Sequence, residues 1–160
     1  MSFRTFTAAA ALSLVALTPA HAGDFKAGDI EIDDVWVRAS VPGQANGAGY
    51  MAIENDGKQA DRLLEIRSDA AERVELHAVL NENGMAKMRQ VEGVDIPAGQ
   101  TVTLGPGGYH VMFLKLKAPF KQGDEVPATL RFEHAGEVAI QFKAQPLNYR
   151  PDGHGAQMKH

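Results

Sequence analysis

The chain has 160 residues, with 16 Lys and Arg against 20 Asp and Glu, and no cysteine. That balance leaves no basic footprint for nucleic acid and no attraction to an anionic lipid surface. The missing thiols exclude disulfides, thiolate catalysis and the blue-copper electron-transfer site, which sets a Cys beside two His.

The chain begins with Arg4, an apolar run from Ala8 to Leu17, and then Thr18-Pro19-Ala20-His21-Ala22. A basic start, an apolar stretch too short to span a bilayer and an Ala-x-Ala site predict a cleaved signal peptide over residues 1–22. His21 leaves with it, so it belongs to no site. The protein is therefore expected in the periplasm, with no insertion in the membrane after cleavage, and more acidic by the loss of Arg4. Residues 23–146 are long enough for one domain with a core.

IEIDDVWVRAS (30–40) reads as a strand that stops at Pro42-Gly43, and AGYMAIE (48–54) as a second, closed by Asn55-Asp56-Gly57. Residues 61–76 are ambiguous. Leu63, Ile66, Ala70 and Val74 fit a helical spacing, yet Val74 and Leu76 alternate with Glu75 and His77 as in a strand. Two strands broken near Ser68-Asp69 are the preferred reading. Further strands are predicted at 72–80, 85–92, 101–104, 108–117, 127–134 and 137–143. Short strands with frequent turns point to an all-β protein, a single Greek-key β-sandwich. Gly105-Pro106-Gly107-Gly108 precedes a strand, not a helix, so it is no phosphate loop; it is placed to aim His110.

The informative stretch runs from His77 to Met112. Asn81-Glu82-Asn83-Gly84 between two strand-like segments is a hairpin signal. A four-residue loop would set His77 opposite Met88. A two-residue Asn83-Gly84 loop would set Met88 opposite Val79 and diagonal to His77. Both place His77 and Met88 on one face. In YHVMFLKL, His110 and Met112 share a face because they are two apart. Two imidazoles and two thioethers can therefore converge. Thioethers favour Cu(I), imidazole suits copper in either state, and no oxygen cluster for a hard cation is present. Zinc rarely takes Met. Copper is the ion that His77, Met88, His110 and Met112 would select.

These four residues, spaced ten, twenty-one and one residues apart, resemble the motif of the PCu(A)C family of periplasmic copper chaperones. VELHAV, MAKMRQVEGVDIPAG, LGPGGYHVMFLKLK and GDEVPATLRFE extend the similarity over roughly residues 30 to 145. The resemblance implies a cupredoxin-like or immunoglobulin-like sandwich that holds one Cu(I) at its surface. It implies a metallochaperone, not an enzyme, whose recipient is the copper-bearing subunit of a respiratory haem-copper (cytochrome c) oxidase. Whether a thiol-bearing copper-assembly protein acts beside it is left open, and a monomer is expected. The rival readings are a copper-dependent redox protein and a metal-free adhesion or assembly sandwich.

Taken singly, Met88 and Met112 would be read as core packing, and His77 as a solvent-face residue beside a solvated Glu72 and Glu75. His110, in an apolar strand, would need partners for two nitrogens. Met85 falls on the face opposite Met88 and reads as a hairpin-packing residue, with assistance in metal transfer as the alternative. Trp36 reads as core, and His134, before Ala135-Gly136, as surface. Residues 147–160 read as a flexible tail whose His154, Met158 and His160 are candidate ligands for a second copper, Cu(II). That expectation rests on composition and on the His- and Met-bearing C-terminal extensions of some family relatives.

Overall fold

The computed structural model describes residues 25–151. These form eleven strands and no helix. In chain order they are β1 (Phe25–Ala27), β2 (Ile30–Arg38), β3 (Gly47–Asn55), β4 (Asp61–Arg67), β5 (Ala71–Glu82) and β6 (Met85–Gln90). They continue as β7 (Val94–Ile96), β8 (Thr101–Leu104), β9 (His110–Leu116), β10 (Glu125–Phe132) and β11 (Gly136–Gln145). The predicted signal peptide and its cleavage site lie outside the described residues, as do His154, Met158 and His160 of the tail.

The strands are linked by hydrogen bonds in the order β6-β5-β9-β3-β2-β11-β10-β4-β7, with β1 added to β2 and β8 to β3. All the pairings are antiparallel except β2 with β11. The sheet folds over on itself. Its inward residues, among them Ile32, Ile53, Leu63, Ile96, Val111, Phe113, Leu130 and Phe142, form one buried cluster drawn from both halves. Phe113 stands edge-on to Phe120 and Phe142, with centroids 5.3 and 5.6 Å away. The all-β sandwich expected from the sequence is the fold observed.

β3 shows how tightly the halves meet. A Cβ on Gly49 would lie 2.9 Å from the Phe142 ring and 3.1 Å from Phe113. The strand can pass the aromatic core only without a side chain there. Ala48, between the two glycines of β3, points to the other face and pairs with Met112 of β9.

Residues 61–76 are two strands, β4 and β5, separated at residues 68–70. The helix-like spacing of Leu63 and Ile66 has a local cause. β4 carries one extra residue between the pairs Glu65–Arg131 and Leu63–Phe132, a β-bulge. The bulge shifts the inward parity by one, so two residues three apart both face the core. β2 does the same: the register slips between Asp33 and Trp36, where Asp34 has φ of 49°. Ile32 and Val35 both point inward, and Trp36 is sent to the outer face.

Trp36 is buried as expected, but outside the main core. Its ring packs against Tyr50 at 4.5 Å and Tyr149 at 4.9 Å, and the Arg38 guanidinium lies 5.2 Å from its centroid. Arg38 also donates to the carbonyls of Leu147 and Tyr149. Past β11, the chain through Tyr149 is thus strapped across the outer face of β2 and β3. This packed segment lies beyond the boundary after residue 146 that the loss of periodicity suggested.

Candidate metal centre

The site begins with a turn. Asn83 and Gly84 both have positive φ, 53° and 79°. Two consecutive left-handed residues make a two-residue type I′ hairpin, whose twist matches the flanking strands. Glu82 therefore pairs with Met85, Val79 with Met88, and His77 with Gln90. Of the two registers open to the sequence, the short loop is the one formed. Met88 sits diagonal to His77 and on its face.

β9 supplies the other half. It runs antiparallel to β5, with His77 paired to His110 and Glu75 to Met112. Alternation then settles the faces. Leu76, Val111 and Phe113 enter the core, while His77, His110, Met112 and Met88 share the outer face. The four candidate ligands are brought together by three adjacent strands.

The imidazole centroids are 5.7 Å apart, with their planes at 52°. Metal–nitrogen bonds are about 2 Å, so two imidazoles on one ion hold their centroids roughly 5–6 Å apart. The rings are spaced for a shared ion. Each also has one nitrogen engaged. His77 Nε2–H donates to Glu75 Oε2 at 2.8 Å, and His110 Nδ1–H donates to Gly108 O at 3.1 Å. These bonds set the tautomers and leave lone pairs on His77 Nδ1 and His110 Nε2. Among the described residues, those two atoms are the buried side-chain nitrogens and oxygens without a hydrogen-bond partner.

The contrast with other buried polar groups is informative. Asn55 donates to Gln59 O and Ile96 O and accepts from Gly57 N. Asp61 accepts from the backbone of Arg62, His134 and Ala135. Native interiors pair such groups because an unpaired one costs about 1–3 kcal/mol. Two unpaired nitrogens on neighbouring rings, on one face with two thioethers, form a soft donor set. That set fits a soft ion such as Cu(I).

Burial of His110, 5 % exposed, pushes its imidazole below the ordinary value of 6.5. The hydrogen bond to Gly108 opposes the shift and the neighbouring His77 adds to it. His110 is thus biased to the neutral, ligating form. Met88, by contrast, is 53 % exposed on a β6 whose residues are all exposed. Met112 is half-buried between Ala48 and Glu75. One side of the centre is closed by the sheet and the other is open to solvent.

Three expectations need correction. The reading of His77 taken singly, as a solvent-face residue, does not hold: its side chain is 14 % exposed. Glu75 does not belong to a solvated face either. Its carboxylate is 17 % exposed, bonded to His77, with the Arg73 guanidinium 3.6 Å from the other oxygen. Glu72 is exposed and paired with Lys115, and His134 is at the surface. Met85, expected to pack in the hairpin, is instead 64 % exposed at its tip. The hairpin is braced by Arg89, which donates to both oxygens of Glu82 at 3.0 and 2.9 Å and holds that carboxyl below the usual range.

Residues 30–144 match the LpqE-like family, described as putative lipoprotein LpqE-like. A putative lipoprotein of Leifsonia xyli subsp. xyli is 34 % identical over 121 residues, covering 74 % of this chain and 72 % of its own. The chain belongs to the LpqE-like family. Similar solved structures include PCuAC domains, as the sequence resemblance implied. A copper-bound PCuAC domain from PmoF2 is 28 % identical, with a TM-score of 0.67, over 77 % of this chain and 97 % of that one. The Cu(I) form of DR1885 from Deinococcus radiodurans is 31 % identical, with a TM-score of 0.58, over 69 % and 74 %. This LpqE-like chain therefore carries His77, Met88, His110 and Met112 on a sandwich shared with copper-holding proteins.

Proposed function

We propose that the protein is an exported copper carrier that holds one Cu(I) through His77 Nδ1, His110 Nε2 and the sulfurs of Met88 and Met112. The observation that carries this reading is the pair of buried, unpartnered imidazole nitrogens on facing rings. The copper-bound PCuAC domain from PmoF2 and the Cu(I) form of DR1885 support the choice of ion.

Four neutral ligands leave the complex at +1, and thioethers favour the reduced ion. The closed side supplies rigid imidazoles, whereas exposed Met88 is the ligand that can leave first. A recipient's donors can then enter from the open side before the histidines let go. That sequence suits transfer rather than storage or catalysis. The copper-bearing subunit of a respiratory haem-copper oxidase is the recipient proposed, in the periplasm. The lipoprotein description shared by the family and its Leifsonia member favours an exported chain. The tail, with His154, Met158 and His160, is proposed as an auxiliary Cu(II) site, because Arg38 and Trp36 fix its root on the face that bears the core ligands.

The test is a Cu(I) competition titration against a chromogenic chelator. One tight equivalent is expected in the wild type and in a chain ended at Pro151, and its loss in His110→Ala and Met88→Ala. Wild-type retention no better than that of the variants would refute the carrier reading and favour a metal-free sandwich.

A further inference from the structure

The carboxylate of Glu75 has no place among the four ligands, yet it is the charged group built into their face. It lies two residues before His77 on β5, so the two side chains point the same way. It also pairs with Met112 across β9. Its Oε2 accepts from His77 Nε2 at 2.8 Å, and Arg73 Nη2 stands 3.6 Å from Oε1. Both members of the hydrogen bond are largely enclosed, which limits competition from water.

We infer that Glu75 is the positioning residue of the centre: it fixes the His77 tautomer so that Nδ1 faces the ion, and its charge offsets that of bound Cu(I). The inference rests on the Cu(I) reading above. A His ring is free to present either nitrogen unless the other is tied down. Metal-binding histidines are commonly held by a carboxylate or carbonyl on the second nitrogen, which also strengthens the donor. Here the two histidines use the two versions of that device. His110 is held by the carbonyl of Gly108, a neutral acceptor on the Gly-rich turn. His77 is held by Glu75, an anionic one.

The difference assigns the rings separate tasks. A neutral carbonyl within the fold anchors the buried ring, while the negative charge lies beside the less buried ring. With Glu75 ionised, one negative charge stands beside the single positive charge of Cu(I) on its neutral ligands, shared with the largely exposed Arg73. The carboxylate has its own partners in His77 and Arg73, so it stabilises the ion without binding it.

Two variants separate the parts of this role. Glu75→Gln keeps an oxygen acceptor for His77 but removes the charge. Glu75→Leu removes both at similar size. The readouts are Cu(I) affinity by chelator competition and the His77 tautomer in metal-free protein, from long-range nitrogen–proton NMR. The wild type should be Nε2-protonated, Glu75→Gln should remain so with a smaller loss of affinity, and Glu75→Leu should show mixed tautomers with about 10- to 100-fold weaker Cu(I). Normal circular dichroism in both variants would exclude misfolding as the cause.

A Glu75→Leu protein with wild-type affinity or an unchanged tautomer would overturn the inference and leave the copper reading intact. A wild type that retains no Cu(I) would remove both together. Equal, large losses in both variants with the tautomer kept in Glu75→Gln would show that the charge alone matters, which would overturn the positioning role.

Discussion

Replacing His110 with leucine should make the metal-free protein more stable while it abolishes the Cu(I) site. His110 Nε2 is buried without a partner, and such a group costs about 1–3 kcal/mol. The substitution also removes the Nδ1–H bond to Gly108 O, worth about 0.5–1.5 kcal/mol. That carbonyl is not left alone, because it still accepts from Val79 N at 3.3 Å. Leucine is close to imidazole in size and apolar, and position 110 is itself buried, at 5 % exposure. The net effect is a gain of about 1 kcal/mol. For a domain of this length that corresponds to a rise in Tm of roughly 3–5 °C. Thermal unfolding followed by circular dichroism, with chelator present and at neutral pH, measures it. Adding Cu(I) should raise the wild-type Tm by mass action and leave the variant unchanged. A fall in the variant's Tm by a similar amount would refute the reasoning, since it would mean that the nitrogen contributes stability without metal.

Three further perturbations probe other parts of the structure. Because burial lowers the His110 value, the unfolded chain takes up its proton first as pH falls. Its contribution to metal-free stability is complete above the ordinary value of 6.5 and is lost as pH drops below it toward the folded value. Wild type should therefore lose stability more steeply than His110→Leu over that window in pH-dependent denaturant melts, and Cu(I) should be released over the same direction. Gly84→Val places a β-branched side chain at a positive φ in the type I′ turn. It should weaken Cu(I) binding through Met88 more than it lowers Tm, because β6 is exposed throughout; titration and melting together decide this. Gly49→Ala puts a Cβ 2.9 Å from Phe142 in the core and should cost about 1–3 kcal/mol, read from urea midpoints.

Much of the centre was legible because strands impose a strict alternation. Residues 77, 110 and 112 could be assigned to faces by parity, and Asn-Gly announced the turn. The choice of register was not legible, since both loop lengths suit Asn81-Glu82-Asn83-Gly84; only the left-handed conformation at Asn83 and Gly84 decides it. The bulges in β2 and β4 defeated parity locally. One made a strand look helical around Leu63 and Ile66, and the other moved Trp36 to the outer face. β1 and β7 are three residues each, too short for any period to emerge, although Val94 and Ile96 are fully packed in the core. Glu75 was misread for a different reason. A carboxylate two residues from a histidine on a strand shares its face, and that signal was available; its enclosure by β9 was not.

The strap at Tyr149 bears on the tail proposed as an auxiliary copper site. Trp36 on β2, Tyr50 on β3 and Met112 on β9 lie on one outer surface, about two strand spacings or 10 Å across. Chain leaving Pro151 can reach at most about 10 Å by residue 154 and 30 Å by residue 160. Donors on so short a tether experience a local concentration in the millimolar range, whatever the concentration of protein around them. On the proposed tail site, approach of a tail-held Cu(II) to the core would be first-order and insensitive to dilution. Loading the core as Cu(I) would need an external one-electron reductant, and hand-over to the proposed recipient would be bimolecular. Cutting the Arg38 clamp would lengthen the tether without removing a single ligand, and would slow that approach while leaving the hand-over alone.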